Sequence, residues 1–277
     1  MKTWLQNLIP QRALSRALGM LANARLGGLT TLAIQAFVRK YQVAMNEAEI
    51  SDIRQFKTFN DFFTRALKPG LRTLSGDENT IISPVDGCVS ELGKIEQDQL
   101  LQAKGTYFSL ADLCADANIA AYFDNGSFLT AYLAPKDYHR IHMPFAGKLI
   151  DMIYVPGNLF SVNPASVNDI SNLFARNERV ICVFETSKGM MAVIAVGAMI
   201  VGSIATVWHG VVVPQEGRYI KRWNYHDQNI TLKRGDELGH FMLGSTVVLL
   251  TQANAFSWNR TVMTNSPLKM GEILTHS

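Results

Sequence analysis

The run Arg179-Val180-Ile181-Cys182-Val183-Phe184-Glu185-Thr186-Ser187-Lys188-Gly189-Met190-Met191-Ala192-Val193-Ile194-Ala195-Val196 decides the fold class. Arg179–Thr186 and Met190–Val196 are short, β-branched and apolar, and Lys188-Gly189 breaks them as a turn would. The same texture recurs at Phe128–Leu133, Lys148–Val155, Met199–Val207 and Thr246–Leu250, with Pro156-Gly157 as a second break. Several short strands separated by turn signals argue for a β core, a barrel or sandwich, over a βαβ sheet. No 20–50-residue repeat and no low-complexity linker interrupts residues 80–277.

Upstream the texture is helical. Thr58-Phe59-Asn60-Asp61-Phe62-Phe63-Thr64-Arg65-Ala66-Leu67 carries a capping-box pattern at Thr58 and Asp61. Phe59, Phe62, Phe63, Ala66 and Leu67 share one face, and Pro69-Gly70 predicts the stop. A short helix is expected after Ser109, with Asp112 at the box position and Leu110 and Leu113 turned inward. The expected class is therefore α+β: N-terminal amphipathic helices over 1–75, then a predominantly antiparallel, barrel- or sandwich-like β domain over 76–277.

Hydrophobic residues make up 48% of the 277 and charged ones 18%, ample core material for a globular protein. Cys88, Cys114 and Cys182 are widely spaced and fit no metal-ligand pattern, so they read as buried thiols of a reducing compartment. Neither a disulfide framework nor a zinc site is expected. The net charge of +3 is modest, and no nucleic-acid partner is expected. Its distribution is uneven: Lys2, Arg12, Arg16, Arg25, Arg39 and Lys40 precede the first acidic residue, Glu47. Apolar residues such as Leu14, Leu18 and Leu21 alternate with these cations at helical spacing, but no run reaches the ~18 residues a bilayer span needs. Gln, Arg and Pro10 break up any signal-peptide core. Helices with one apolar and one basic face suit an anionic membrane interface; the alternative is packing on the protein's own core with a solvated basic face.

Three segments carry candidate chemistry. In Leu243-Gly244-Ser245-Thr246, a serine follows a glycine at the mouth of an apolar run. Such a serine can attack its own preceding carbonyl, because glycine tolerates the strained backbone this needs. The amide becomes an ester, and β-elimination cuts the chain, leaving a dehydroalanine that hydrolyses to pyruvoyl. A loop entering a strand is the plainer reading of these four residues alone. His139 and His142 lie in Asp137-Tyr138-His139-Arg140-Ile141-His142-Met143-Pro144, just beyond a strand. Imidazoles there suit general acid and base work; as metal ligands they lack a third partner. Asp86 lies in the turn Ser83-Pro84-Val85-Asp86-Gly87. Aspartate, histidine and serine from distant segments can form a charge-relay triad, since geometry and not chain order defines one.

These segments, together with Phe59–Arg65, Pro156–Asn163, Phe174–Val180, Val196-Gly197-Ala198 and Val201-Gly202-Ser203-Ile204, resemble the bacterial pyruvoyl-dependent phosphatidylserine decarboxylases, in family order from residue 59 almost to the C-terminus. The resemblance implies a proenzyme that cuts itself between Gly244 and Ser245 into a large β chain, 1–244, and a small α chain, 245–277, which stay together as a heterodimer, and it suggests a further dimer of these processed units. It places the self-cleavage relay on Asp86, His142 and Ser245, and the decarboxylation-stage histidine on His139. Ser245 would become the pyruvoyl group, which replaces pyridoxal phosphate as electron sink through a Schiff base with the substrate amine. The implied products are phosphatidylethanolamine and carbon dioxide, made by a peripheral enzyme on the cytoplasmic side of the cell membrane. A pyruvoyl decarboxylase of a soluble amino acid and a non-catalytic lipid-binding β module are the rival readings.

Overall fold

A computed structural model describes residues 11–103, 105–198, 203–213, 219–242 and 245–276, with backbone alone for 11–14, 16 and Ser245. Its helical front comprises α1 (Gln11–Asn23), α2 (Gly28–Tyr41), a 3-10 turn at Ile53–Gln55 and α3 (Phe59–Phe63). The expected capping box starts α3: Thr58 accepts from the Asp61 N–H, and Asp61 accepts from the Thr58 N–H. The helix ends at Phe63, short of the expected Leu67. The Thr64 hydroxyl donates to the Asn60 carbonyl, and Leu67 leaves to form a β-bridge with Ala48, so tertiary pairing overrides the helical pattern. Ile34, Val43, Phe56, Phe62 and Phe63 form a small core of their own. Phe62 is fully buried in it, and its loss to alanine should cost about 3–5 kcal/mol.

The β region contains β1 (Gly87–Lys94), β2 (Gln99–Ala103), β3 (Thr106–Ser109), β4 (Ser127–Leu133), β5 (Arg140–His142), β6 (Gly147–Val155), β7 (Arg179–Thr186), β8 (Gly189–Val196), β9 (Ser203–Thr206) and β10 (Gly210–Val213). It continues with β11 (Lys221–Asn224), β12 (Thr231–Leu232), β13 (Glu237–Met242), β14 (Ser245–Thr251) and β15 (Pro267–Leu268). Four short helices sit among them: α4 (Leu110–Cys114), capped by Ser109 as expected, α5 (Ala117–Ala121), α6 (Pro164–Asp169) and α7 (Leu173–Arg176).

One antiparallel sheet runs β11-β6-β7-β8-β14-β4-β1-β15, with β12 also pairing β6; a second runs β10-β9-β13-β5. Strands β2 and β3 form a separate hairpin. The described strands close no barrel, so the sandwich half of the expectation describes the fold. Alternation assigns the two faces of the large sheet. Val180, Cys182, Phe184, Val193, Val247 and Leu249 face the second sheet. Ile181, Val183, Ile194, Val248 and Leu250 face the β2–β3 hairpin and helices α4–α7. Burial on both faces is why these strands read as continuous apolar runs instead of alternating ones.

Candidate active site

Two neighbouring strands of the large sheet continue into two neighbouring strands of the small one. Strand β4 pairs β14, and β5 pairs β13. The chain passes from β4 to β5 through residues 134–139, which hold His139, and from β13 to β14 through Leu243 and Gly244. The end of β4 and the start of β14 that these connections join lie at one end of the large sheet. Ser245, the first residue of β14, stands opposite Leu133, the last of β4. One strand further, Cys88 of β1 stands opposite Tyr132, which puts Asp86 at the same sheet end. Gly87 permits that approach, since a Cβ there would collide with the Tyr132 carbonyl oxygen. Asp86, the His139 segment and the Ser245 backbone thus lie at one sheet end, and His142 is tied to the Asp86 turn through its bond to Pro84; Gly244 and the Ser245 side chain lie outside the described residues.

His142 is held from three sides. Its backbone N–H donates to the Pro84 carbonyl at 2.8 Å. Its Nδ1 lies 2.8 Å from the Gly235 carbonyl oxygen and its Nε2 lies 2.9 Å from the Tyr138 hydroxyl. A carbonyl can only accept, so Nδ1 carries the proton and Nε2 accepts from Tyr138. Burial pushes the imidazole below its ordinary pKa, against an opposing pull from the Gly235 carbonyl. Neutral, with its one lone pair on Nε2 engaged by the Tyr138 hydroxyl, it can serve as a general base once that bond opens.

Asp86 does not hold His142 by a hydrogen bond, contrary to the expected relay. Arg72 takes both carboxylate oxygens, Nε donating to Oδ1 at 3.0 Å and Nη2 to Oδ2. The Met270 N–H adds a bond at 2.8 Å, and Lys269 lies 3.4 Å away. Burial alone would raise the carboxyl pKa; Arg72, Met270 and Lys269 outweigh it and hold the group below the usual carboxylate range. Arg72 also bonds Glu47, tying the helical front to the turn before β1. Asp86 therefore acts on His142 through charge and through the Pro84 segment.

His139 is wholly buried. Its ring stacks on Phe63 with centroids 4.0 Å apart, and neither nitrogen has a hydrogen-bond partner among the described residues. Burial first, then the nearby Arg65 charge, pushes its pKa down to about 3, so the ring is neutral. No three His, Cys, Asp or Glu side chains among the described residues cluster as a metal site. Cys114 and Cys182 are buried and Cys88 is half-buried, all three free.

Tyr138, Arg72 and the Gly235 carbonyl were not singled out from the sequence. Tyr138 lies inside the histidine segment, where a hydroxyl four residues before a histidine was the available signal. Arg72 and Gly235 join the site only through tertiary packing.

The phosphatidylserine decarboxylase family model matches residues 59–276, and a second model, described as PSD, matches 1–42. The phosphatidylserine decarboxylase proenzyme of Acidovorax ebreus is 52% identical over 98% of this chain and 95% of its own length. Those of Coxiella burnetii, 52% identical over 98% and 96%, and Vibrio campbellii, 49% identical over 99% and 98%, align as fully. With matches of this extent to both the family model and full-length relatives, the chain belongs to the phosphatidylserine decarboxylase family.

Proposed function

We propose that this chain is a proenzyme that cuts itself at Gly244-Ser245 and then decarboxylates phosphatidylserine. The observation carrying this reading is the shared sheet end, where Ser245 opposes Leu133 at the root of the histidine segment. In the first stage His142 Nε2, once Tyr138 releases it, takes the Ser245 hydroxyl proton. Asp86 supports the imidazolium by its negative charge. Cleavage yields chains 1–244 and 245–277, which remain together because β14 is bonded between β4 and β8.

The pyruvoyl made from Ser245 suits the site as a covalent part of β14, and when formed it supplies an electron sink for the substrate amine. His139 then handles the proton at the substrate α-carbon, in a site walled by Phe63. The membrane-facing part falls on α1 and α2. Met20, Leu21, Leu26, Leu29 and Leu32 are 47–69% exposed, a larger apolar surface than a solvated helix pair needs, and the sequence over 1–46 carries basic but no acidic residues. No single described helix is long and apolar enough to cross a bilayer. A peripheral seat on an anionic leaflet fits that surface.

Gel and intact-mass analysis of purified variants tests the assignment. His142→Ala, Asp86→Ala and Ser245→Ala should remain uncut, and His139→Ala should yield both pieces yet lose about 10²–10⁴ in turnover. An uncut His139→Ala beside a normally cut His142→Ala would reverse the two roles. The wild-type small chain should carry the mass of a pyruvoyl end.

A further inference from the structure

Residues Phe63-Thr64-Arg65 and Lys136–Arg140 grip one another reciprocally. Arg65, just past α3, sends Nη2 to the carbonyl oxygens of Lys136 at 3.0 Å and Asp137 at 3.2 Å. In return Arg140 sends Nε to the Thr64 carbonyl at 3.0 Å and Nη1 to Glu237 at 2.8 Å. Between these two clasps, Phe63 lies flat on the His139 ring, at an interplanar angle of 21°.

The Arg65 side chain is an expensive choice for a mere strap. The residue is 5% exposed, and its Nε and Nη1 have no hydrogen-bond partner among the described residues. Burial lowers its pKa, while Asp137, Asp86 and Glu47 pull the other way. A buried cation with unpartnered donors costs stability unless its position serves something else. Besides the Phe62 ring, 5.4 Å away, what it touches is the backbone two and three residues before His139.

The two histidines depend on this contact differently. His142 lies in β5, fixed by the β13 ladder, by Pro84 and by Gly235, and of its partners only the Tyr138 hydroxyl comes from the gripped segment. His139 precedes β5, and its ring is located by stacking on Phe63 and by the Ala134 and Pro135 backbone of its own 134–139 segment. We infer that Arg65 is a positioning residue for His139, holding that ring in place for the decarboxylation stage while leaving self-cleavage through His142 untouched. This rests on the assignment of His139 to decarboxylation given above.

Arg65 also acts by charge. The charged groups bearing on the His139 ring are Arg65 beside α3 and Asp86 before β1; the first opposes protonation and the second favours it. Removing the Arg65 charge should therefore move any His139-controlled limb of the kcat–pH profile to higher pH. A change that only loosened the fold would lower activity without moving that limb.

The experiment compares Arg65→Met, Arg65→Lys and His139→Ala with wild type as purified full-length protein on mixed micelles containing phosphatidylserine. Arg65→Met should be cut into 1–244 and 245–277 as fast as wild type. Its kcat should fall about 10²-fold, the order expected for a 1 Å misplacement, with KM changed less than about threefold, and its pH limb should rise. Arg65→Lys keeps the charge but reaches fewer carbonyls, so it should keep the limb and recover roughly a tenth of wild-type kcat. A kcat for Arg65→Met within about threefold of wild type, or the same pH shift in both variants, overturns the inference. Arg65→Met that stays uncut with an unchanged melting temperature also overturns it. Should Arg65→Met fail to fold, unchanged kcat in Arg65→Lys overturns it instead. Normal turnover by His139→Ala would instead remove the His139 assignment itself.

Discussion

Arg72 closes a two-point ion pair on Asp86, and neither carboxylate oxygen is left over for His142. The aspartate that a relay would place behind the imidazole is instead the anchor of a bridge reaching Glu47 in the helical front. A backbone carbonyl, that of Gly235, fixes the histidine tautomer in its place.

Breaking that bridge should damage both stability and maturation. Both side chains are buried, and removing one partner of such a pair typically costs about 3–5 kcal/mol. Arg72→Met should therefore lower the melting temperature and slow self-cleavage, because the Pro84 segment that holds the His142 backbone loses its anchor. Arg72→Met with Asp86→Asn should destabilise less than the sum of the two single changes. Additive melting shifts in that cycle would show that the pair is not coupled.

Tyr138 occupies the one atom of His142 that must accept the serine proton. Its hydroxyl stays protonated, since burial raises its pKa, and it donates to Nε2 at 2.9 Å. Tyr138→Phe removes this competing donor and leaves the ring stacking in place. Freshly synthesised Tyr138→Phe should thus be cut at least as fast as wild type in a time-course gel. Cleavage slowed tenfold or more would mean instead that the hydroxyl relays the proton.

The buried neutral His139 predicts how the uncut chain responds to acid. Its folded pKa is pushed from 6.5 down to about 3, so between those values the unfolded state binds the extra proton and the folded state does not. Stability then declines as pH falls from 6.5 towards 3. His142 shifts in the same direction, and Asp86, held below its ordinary 3.8, adds a loss only below that value. In the Ser245→Ala background, which keeps the chain whole, His139→Gln should flatten the fall in melting temperature between pH 7 and pH 5 but not abolish it. An unchanged slope would mean that the imidazole is not buried neutral.

How much of this was legible in the sequence depended on whether a feature is local. The Thr58–Asp61 cap, the Ser109 cap and the strand Arg179–Thr186 stand where their residues say, because caps and doubly buried strands carry their cause within a few positions. The same physics set the error at Ala66-Leu67: their apolar spacing fits a helix, yet pairing with Ala48 won. Strands such as β1 and β13 lacked a strong apolar pattern because many of their positions are only partly buried. At the site, the segments that could carry chemistry were readable as candidates, and the partner of Asp86 was not. A carboxylate's partner is chosen by which cation the fold brings near, and Arg72 comes from a segment with no motif to mark it.

The membrane reading makes the last prediction, and the structure sharpens it to particular side chains. One face of α2 belongs to the small core through Ile34, which is fully buried, with Phe37 and Val38 packed beside it. Packing on the protein's own core therefore accounts for that face alone. It leaves out Leu29 and Leu32, 65% and 61% exposed, and Met20 and Leu21 of α1. Leu29→Glu with Leu32→Glu should abolish sedimentation with phosphatidylglycerol-rich vesicles while lowering the melting temperature little, since neither residue supports the core. Arg39→Gln with Lys40→Gln should weaken binding in a different way, making it weaker at low salt and less sensitive to added salt, because surface attraction is screened within about 10 Å at 0.1 M. Wild type should keep part of its binding at 0.5 M salt through the apolar face. Turnover of a short-chain soluble phosphatidylserine should be unchanged in the Leu29/Leu32 variant, and turnover of vesicle substrate should fall with binding. If both variants sediment like wild type, the lipid-facing surface lies elsewhere on the molecule.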